Sequence, residues 1–112
     1  MITICAAAYL RQVEGEGDNG LVLCCLLWAR HGLAAELSRY EDRVLAILGD
    51  HGGRVLQRAT GTRADGPDEV QFIEFDSESS LDAFMNDPRR QELADERDRV
   101  IARTVLFPVV IR

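Results

Sequence analysis

LVLCCLLWAR, residues 21–30, decides the fold. Read with the two-residue period of a strand, Leu21, Leu23, Cys25 and Leu27 point to one side. Val22, Cys24, Leu26 and Trp28 point to the other. Both sides are apolar, the mark of a strand covered on both faces. His31-Gly32 breaks it. Outward from there the period changes. In residues 33–50, Leu33, Leu37, Tyr40, Val44, Ile47 and Leu48 recur at three-to-four spacing, the inner stripe of a helix. Glu36, Arg39, Asp42 and Arg43 take its wet face, and Gly49 with Gly52-Gly53 stops it. RVLQRAT, residues 54–60, is a second and more polar strand, suited to an edge. GTRADGPD, residues 61–68, is turn chemistry.

EVQFIEF, residues 69–75, is a third strand, with Val70, Phe72 and Glu74 on one face and Gln71, Ile73 and Phe75 on the other. Asp76-Ser77 supplies the N-cap of a second helix whose inner stripe is Leu81, Phe84 and Met85. Asn86-Asp87-Pro88 interrupts it, and Pro88 suits the first turn of a renewed helix reaching about residue 102. Leu93, Val100 and Ile101 face inward there. Residues 103–111 form the last strand, and Pro108 within it predicts an edge position or a bulge. The order strand, helix, strand, strand, helix, strand is the ferredoxin-like split arrangement: an α+β sandwich with a four-stranded antiparallel sheet. Residues 20–112 make this domain. Residues 1–19 read as an N-terminal extension or extra strand, divided from it by the acidic, Gly-rich run at 14–20.

Both helices of such a fold cover one face of the sheet, so the other face ought to be polar. Here it is not: the first strand is apolar on both sides, the third sets Val70 and Phe72 opposite Ile73 and Phe75, and the last sets Val105, Phe107 and Val109 opposite Leu106 and Val110. Soluble monomers rarely expose so large an apolar patch. Two such sheets packed face to face, forming a dimeric α/β barrel, would bury both. The alternative cover is the N-terminal lead folded over its own sheet.

Composition narrows the function classes. The chain has 112 residues, one domain's worth, with Lys+Arg 13 against Asp+Glu 19 and a net charge of −6. An acidic protein repels phosphate backbones and anionic membrane surfaces, so neither nucleic acid nor membrane is an expected partner. No apolar run reaches the length of about 20 residues that spans a bilayer. The apolar lead lacks a preceding Lys or Arg, which reads against export. Cys5, Cys24 and Cys25 are an odd count without regular spacing, not a disulfide framework. Cys24 and Cys25 point to opposite faces and read as small buried hydrophobes, in keeping with a cytoplasmic protein. With only two His, no zinc site of usual spacing is present, and no metal is expected.

The runs LLWARHG (26–32), YEDRVL (40–45), DHGGRVLQR (50–58), DEVQFIEF (68–75) and DPRR (87–90) resemble the dimeric α/β-barrel superfamily. The nearest flavour is its small DUF1330-like and antibiotic-biosynthesis-monooxygenase-like proteins. The resemblance covers residues 20–112 and speaks to fold more than to chemistry. It implies cofactor-free cyclases, isomerases or monooxygenases, haem-degrading enzymes, or proteins of unknown role, and it carries no catalytic motif shared by all of them.

Such barrels keep a cavity between sheet and helices, and six residues are candidates to serve it. Glu74, among apolar neighbours near a strand end, would be a general acid or base if desolvated, or a rim carboxylate paired with an Arg. His51, just past the first helix, would shuttle protons or simply complement the helix C-terminus. Arg30 would steady an enolate or carboxylate. Trp28 would floor an aromatic site, or belong to the core. Tyr40, on the inner stripe, needs a partner for its hydroxyl, either ligand or backbone. His31 ends the first strand and otherwise reads as a solvated turn residue. Arg89-Arg90 read as a solvated helix start. No glycine-rich phosphate loop, nucleophile elbow, HExxH or CxxC occurs, so no cofactor is expected. The expected function is a cofactor-independent cyclase, isomerase or monooxygenase acting on a small hydrophobic, polyketide-like or aromatic metabolite. The alternative is a non-catalytic small-molecule-binding or assembly protein of the same fold, and a homodimer is expected in either case.

Overall fold

The computed structural model describes residues 20–112. The expectations for residues 1–19 lie outside the described residues. The elements follow the expected order: β1 (Leu21–Ala29), α1 (Ala34–Leu45), a 3-10 turn (Leu48–His51), β2 (Gly53–Thr60), β3 (Glu69–Phe75), α2 (Glu78–Met85), α3 (Pro88–Glu92), α4 (Ala94–Val100) and β4 (Ile101–Val109). The four strands form one antiparallel sheet in the order β2-β3-β1-β4. The two-faced strand β1 and the alternating β3 are therefore central. The polar β2 and the Pro108-bearing β4 are the edges, as their sequences require.

Three boundaries differ from the sequence reading. The first helix ends at Leu45, and the chain tightens into the 3-10 turn before Gly52 reverses it at φ 69. That left-handed conformation is cheap only for glycine. The renewed helix breaks again at Leu93, which leaves helical geometry at φ −93, ψ 4 and divides α3 from α4. The last strand starts at Ile101, two residues early. Pairing with β1 captures Ile101 opposite Ala29, and a register shift at Trp28/Ala29 absorbs the change. The expected cap at Ser77 is in place, and Asp87 supplies a second that the sequence reading did not name. Ser77 Oγ accepts from Ser80 N at 3.1 Å, and Asp87 Oδ1 accepts from Arg89 N at 2.8 Å with Pro88 in the first turn.

The core sits between the helices and one face of the sheet. Leu23, Cys25 and Leu27 of β1, Ile73 and Phe75 of β3 and Leu106 of β4 meet Leu37, Tyr40 and Val44 of α1. Leu81, Phe84 and Met85 of α2 and Val100 of α4 complete it. Phe75 packs on Phe84 with ring centroids 5.6 Å apart. Among the described residues the helices bring their buried side chains to this face alone. The opposite face carries Val22, Leu26, Trp28, Val70, Phe72, Val105, Phe107 and Val109, all half-buried, with Cys24 buried among them.

β2 holds one irregularity that reaches the site. Its register with β3 runs Arg54↔Glu74, Val55↔Ile73, then jumps to Gln57↔Phe72 and Arg58↔Gln71. Leu56 is the extra residue, a β-bulge. Plain alternation would put Arg58 on the same face as Arg54. The bulge turns it to the helix side.

Candidate functional site

A cavity of about 70 Å³ lies between α1, α2 and the sheet. Most of its wall is apolar, from Leu23, Ile73, Phe75, Phe84 and Leu106 among others. The polar groups in the wall are few: Tyr40, Glu41, Gln71, Arg90, Arg97 and Thr104. That mixture, apolar walls with a small number of placed polar groups, is how small-molecule sites are built. The volume is roughly half that of a 150 Å³ cavity known to take benzene, so it suits a short chain or a small ring.

Glu41 enters the cavity from α1, four residues after Leu37 and three before Val44, on the inner stripe. It is 6% exposed. Gln71, 1% exposed, donates one N–H from Nε2 to Glu41 Oε1 at 2.8 Å and the other to Glu69 Oε2 at 2.8 Å. The same Glu69 oxygen accepts from Arg58 Nε at 2.8 Å, and Arg58 reaches on to Asp42 at 2.6 Å. The two buried carboxylates are thus treated differently. Glu69 faces a guanidinium, whereas Glu41 has only an amide, and no cation forms an ion pair with it among the described residues. Burial pushes the Glu41 carboxyl up to about 7, against the pull of the Gln71 hydrogen bond. Burial, helped by the charge of Glu41, also raises the Tyr40 hydroxyl to about 12 and lifts the Cys25 thiol well above its usual range. At neutral pH the cavity therefore holds a carboxyl poised to gain or lose a proton, beside a phenol and a thiol that keep theirs.

Of the six residues singled out from sequence, Tyr40 lines this cavity. Glu74 lies on the opposite sheet face and receives Arg54 Nε at 2.9 Å. Trp28 lies on that face too, under the guanidinium of Arg103 at 4.5 Å. His51 sits at the end of the 3-10 turn, Nε2 2.7 Å from Asp87 Oδ2, with its ring edge-on to Phe84. Asp87 also accepts from Arg89, and these two partners hold its carboxyl well below the usual carboxylate range. Arg30 donates from Nε to the Asp98 carbonyl at 2.8 Å, and His31 is an exposed turn residue. The structure does not gather Glu74, His51 and Arg30 into one site. It gathers Tyr40, Glu41, Gln71 and Arg90.

The missed residues share one signal. Glu41 falls on the apolar stripe between Leu37 and Val44, Arg97 between Leu93 and Val100, and Arg90 three residues before Leu93. A charge at core spacing is the feature that marks them. Gln71 alternates with Ile73 and Phe75 in the same way. Among the described residues no cluster of three or more His, Cys, Asp or Glu could hold a metal ion. No helix among them is long and apolar enough to cross a membrane.

Solved structures share the fold at low identity. A protein of unknown function from Rhodopseudomonas palustris superposes with a TM-score of 0.73 at 16% identity, over 92% of this chain and 92% of that one. A DABB family protein with a ferredoxin-like fold from Mesorhizobium loti gives 0.62 at 11% identity, over 83% and 97%. A candidate antibiotic biosynthesis monooxygenase from Bacteroides thetaiotaomicron gives 0.64 at 10%, over 84% and 90%. No curated protein matches the chain. At these identities the likeness is one of fold. Residues 32–109, well over half of the chain, match the sequence profile of DUF1330, a domain of unknown function, and the chain belongs to that family.

Proposed function

We propose that the cavity performs acid–base chemistry on a small hydrophobic metabolite without a cofactor, and that its reaction is an isomerisation or a cyclisation through an enolate. One observation carries this reading: the Glu41 carboxyl stands in a mostly apolar cavity with a single amide on it and, among the described residues, no cation in ion-pair contact. As carboxylate, Glu41 takes a proton from carbon beside a carbonyl. The C–H electron pair moves into the enolate, whose oxygen accepts a hydrogen bond from the Tyr40 hydroxyl. Return of the same proton to a different carbon completes an isomerisation with no other reactant. Oxygenation of the enolate would begin with the same abstraction, and one structural relative is named a candidate antibiotic biosynthesis monooxygenase. A base tuned near neutrality suits this task, and Gln71 fixes its orientation. Glu74, His51 and Arg30 then serve as ion-pair and capping residues outside the reaction.

The apolar outer face of the sheet supports a homodimer, since a second copy would bury the half-exposed row from Val22 to Trp28. The free thiols of Cys24 and Cys25 fit the cytoplasm. Proton exchange tests the enzyme reading directly. Butanone and cyclopentanone in D2O should exchange their α-protons faster with the protein present, and Glu41→Gln should abolish the acceleration while circular dichroism stays unchanged. Saturable binding with no acceleration in the native protein would replace catalysis with a binding role.

A further inference from the structure

Three arginines of this protein hold carboxylates along one edge of the guanidinium, the edge formed by Nε and Nη2, and Arg58 holds Glu69 and Asp42 through Nε and Nη1. Arg89 sets that edge against Asp87 at 3.1 and 2.8 Å. Arg63 sets it against Asp65 at 3.1 and 3.4 Å. Arg54 divides it between Glu74 at 2.9 Å and Asp76 at 3.1 Å. Arg90 departs from this habit. Its Nη1 donates to the Met85 carbonyl at 2.9 Å, and its guanidinium lies 5.0 Å from the Phe84 ring centroid. Its Nε is buried and has no hydrogen-bond partner among the described residues. Among the described residues no carboxylate meets its Nε–Nη2 edge, although the side chain lines the cavity.

A shut-in donor on a charged group is costly, and native structures rarely tolerate one without a reason. A planar guanidinium edge matches the two oxygens of a carboxylate. Arg97 lines the same cavity, and its nearest carboxylate, Asp98, is 3.6 Å away, beyond hydrogen-bond length. Two guanidinium groups at one cavity reverse, locally, the sign of a chain whose net charge is −6. No ion pair joins Arg90 to Glu41 among the described residues, so the cation and the acid–base group remain separately available to a ligand.

We infer that the cavity takes a small organic carboxylate carrying an acidic C–H, its carboxylate seated on the Arg90 guanidinium at Nη2, with Arg97 adding charge. The carbon skeleton lies on Leu23, Ile73 and Phe84, with the acidic carbon toward Glu41. The C–H part of this assignment rests on the acid–base reading above, while the anion part rests on Arg90 alone.

The test uses calorimetric and NMR titration of the whole chain with butanoate and 2-oxobutanoate, against butanamide and 2-oxobutanamide. The carboxylates should bind about tenfold or more tighter than their amides. Arg90→Gln should erase that ratio, and Arg90→Lys, which keeps the charge but not the edge, should retain part of it. Equal affinity for acid and amide overturns the inference. So does an undiminished ratio in Arg90→Gln, or no saturable binding of either carboxylate. Should Arg90→Gln fail to fold, the acid–amide ratio of the native chain and of Arg90→Lys decides. The two readings separate cleanly. Carboxylate binding that survives in Glu41→Gln, without any exchange in the native protein, supports the anion site and removes the chemistry. Exchange of butanone with no carboxylate preference does the reverse.

Discussion

The two faces of the sheet are built from similar residues and behave differently. On the helix side, Leu23, Leu27 and Phe75 are almost wholly enclosed. On the outer side, Val22, Leu26 and Phe72 are half-buried. Each face also receives a glutamate. Glu74, outside, finds Arg54 and water, and it becomes an ordinary surface ion pair. Glu41, on the helix side, finds an amide and apolar walls. The same functional group is ion-paired at the surface in one place and desolvated in the other because only one face removes it from solvent.

The sharpest way to break this contrast is kinetic. Glu41→Gln should slow carbon-proton exchange by about 10²–10⁴-fold, the usual weight of a positioned base. Glu74→Gln should leave it nearly unchanged, and NMR in D2O reads both. Equal losses would make the faces equivalent.

Packing gives the next effect. Phe75→Ala should lower unfolding free energy by about 3–5 kcal/mol in urea titrations, whatever the protein concentration. Phe72→Ala, three residues away on the other face, should cost the isolated fold less and show itself in light scattering as weaker self-association. A Phe72 variant as unstable as the Phe75 variant, with unchanged mass, would mean that no second copy covers the outer face.

Titration separates the faces on a smaller scale. The folded protein holds the Glu41 proton to about pH 7, whereas the carboxyl of the unfolded chain loses it near 4.5. Between those values the folded state binds more protons, so stability falls as pH rises, by up to a few kcal/mol, and levels off above about 7. Urea midpoints at pH 5 and pH 8 should show the fall in the native chain and a flatter profile in Glu41→Gln. The exchange rate should run the opposite way, rising through about pH 7 as the base ionises.

The smallest contrast lies between two arginines of one strand. Arg58→Met removes the partner of nearly buried Glu69 and should cost about 1–3 kcal/mol. Arg54→Met, at an exposed pair, should change thermal stability hardly at all.

How far the sequence carried the reading follows the same division. Strand β3 was legible to the residue, because seven alternating positions sit between a turn and a cap. The element order, both edge strands and the Ser77 cap were legible from apolar period and turn chemistry. The site was legible only at Tyr40. Glu41 looks like one more charge in a charged helix unless its spacing from Leu37 and Val44 is counted. Arg58 was hidden for a different reason. Strict alternation assigns it to the face of Arg54, and only the bulge at Leu56 delivers it to Glu69 and Asp42. A bulge belongs to the pairing of two strands, not to the local sequence of one. Arg90 reads as a twin of Arg89, yet one turns outward to Asp50 and Asp87 and the other inward over Phe84.

The bulge in β2 and the proline in β4 have a joint effect on assembly. Each lies on an outermost strand, and each spoils the regular row of donors and acceptors that an incoming strand would need. Leu56 kinks one border, and Pro108 has no N–H to offer at the other. Sideways growth, the route to open-ended fibres, is thereby disfavoured at both margins. What remains for association is the broad apolar face, which a single second copy would saturate on the dimer proposed above. A sheet rich in valine and leucine is thus steered toward finite complexes by two small irregularities at its borders.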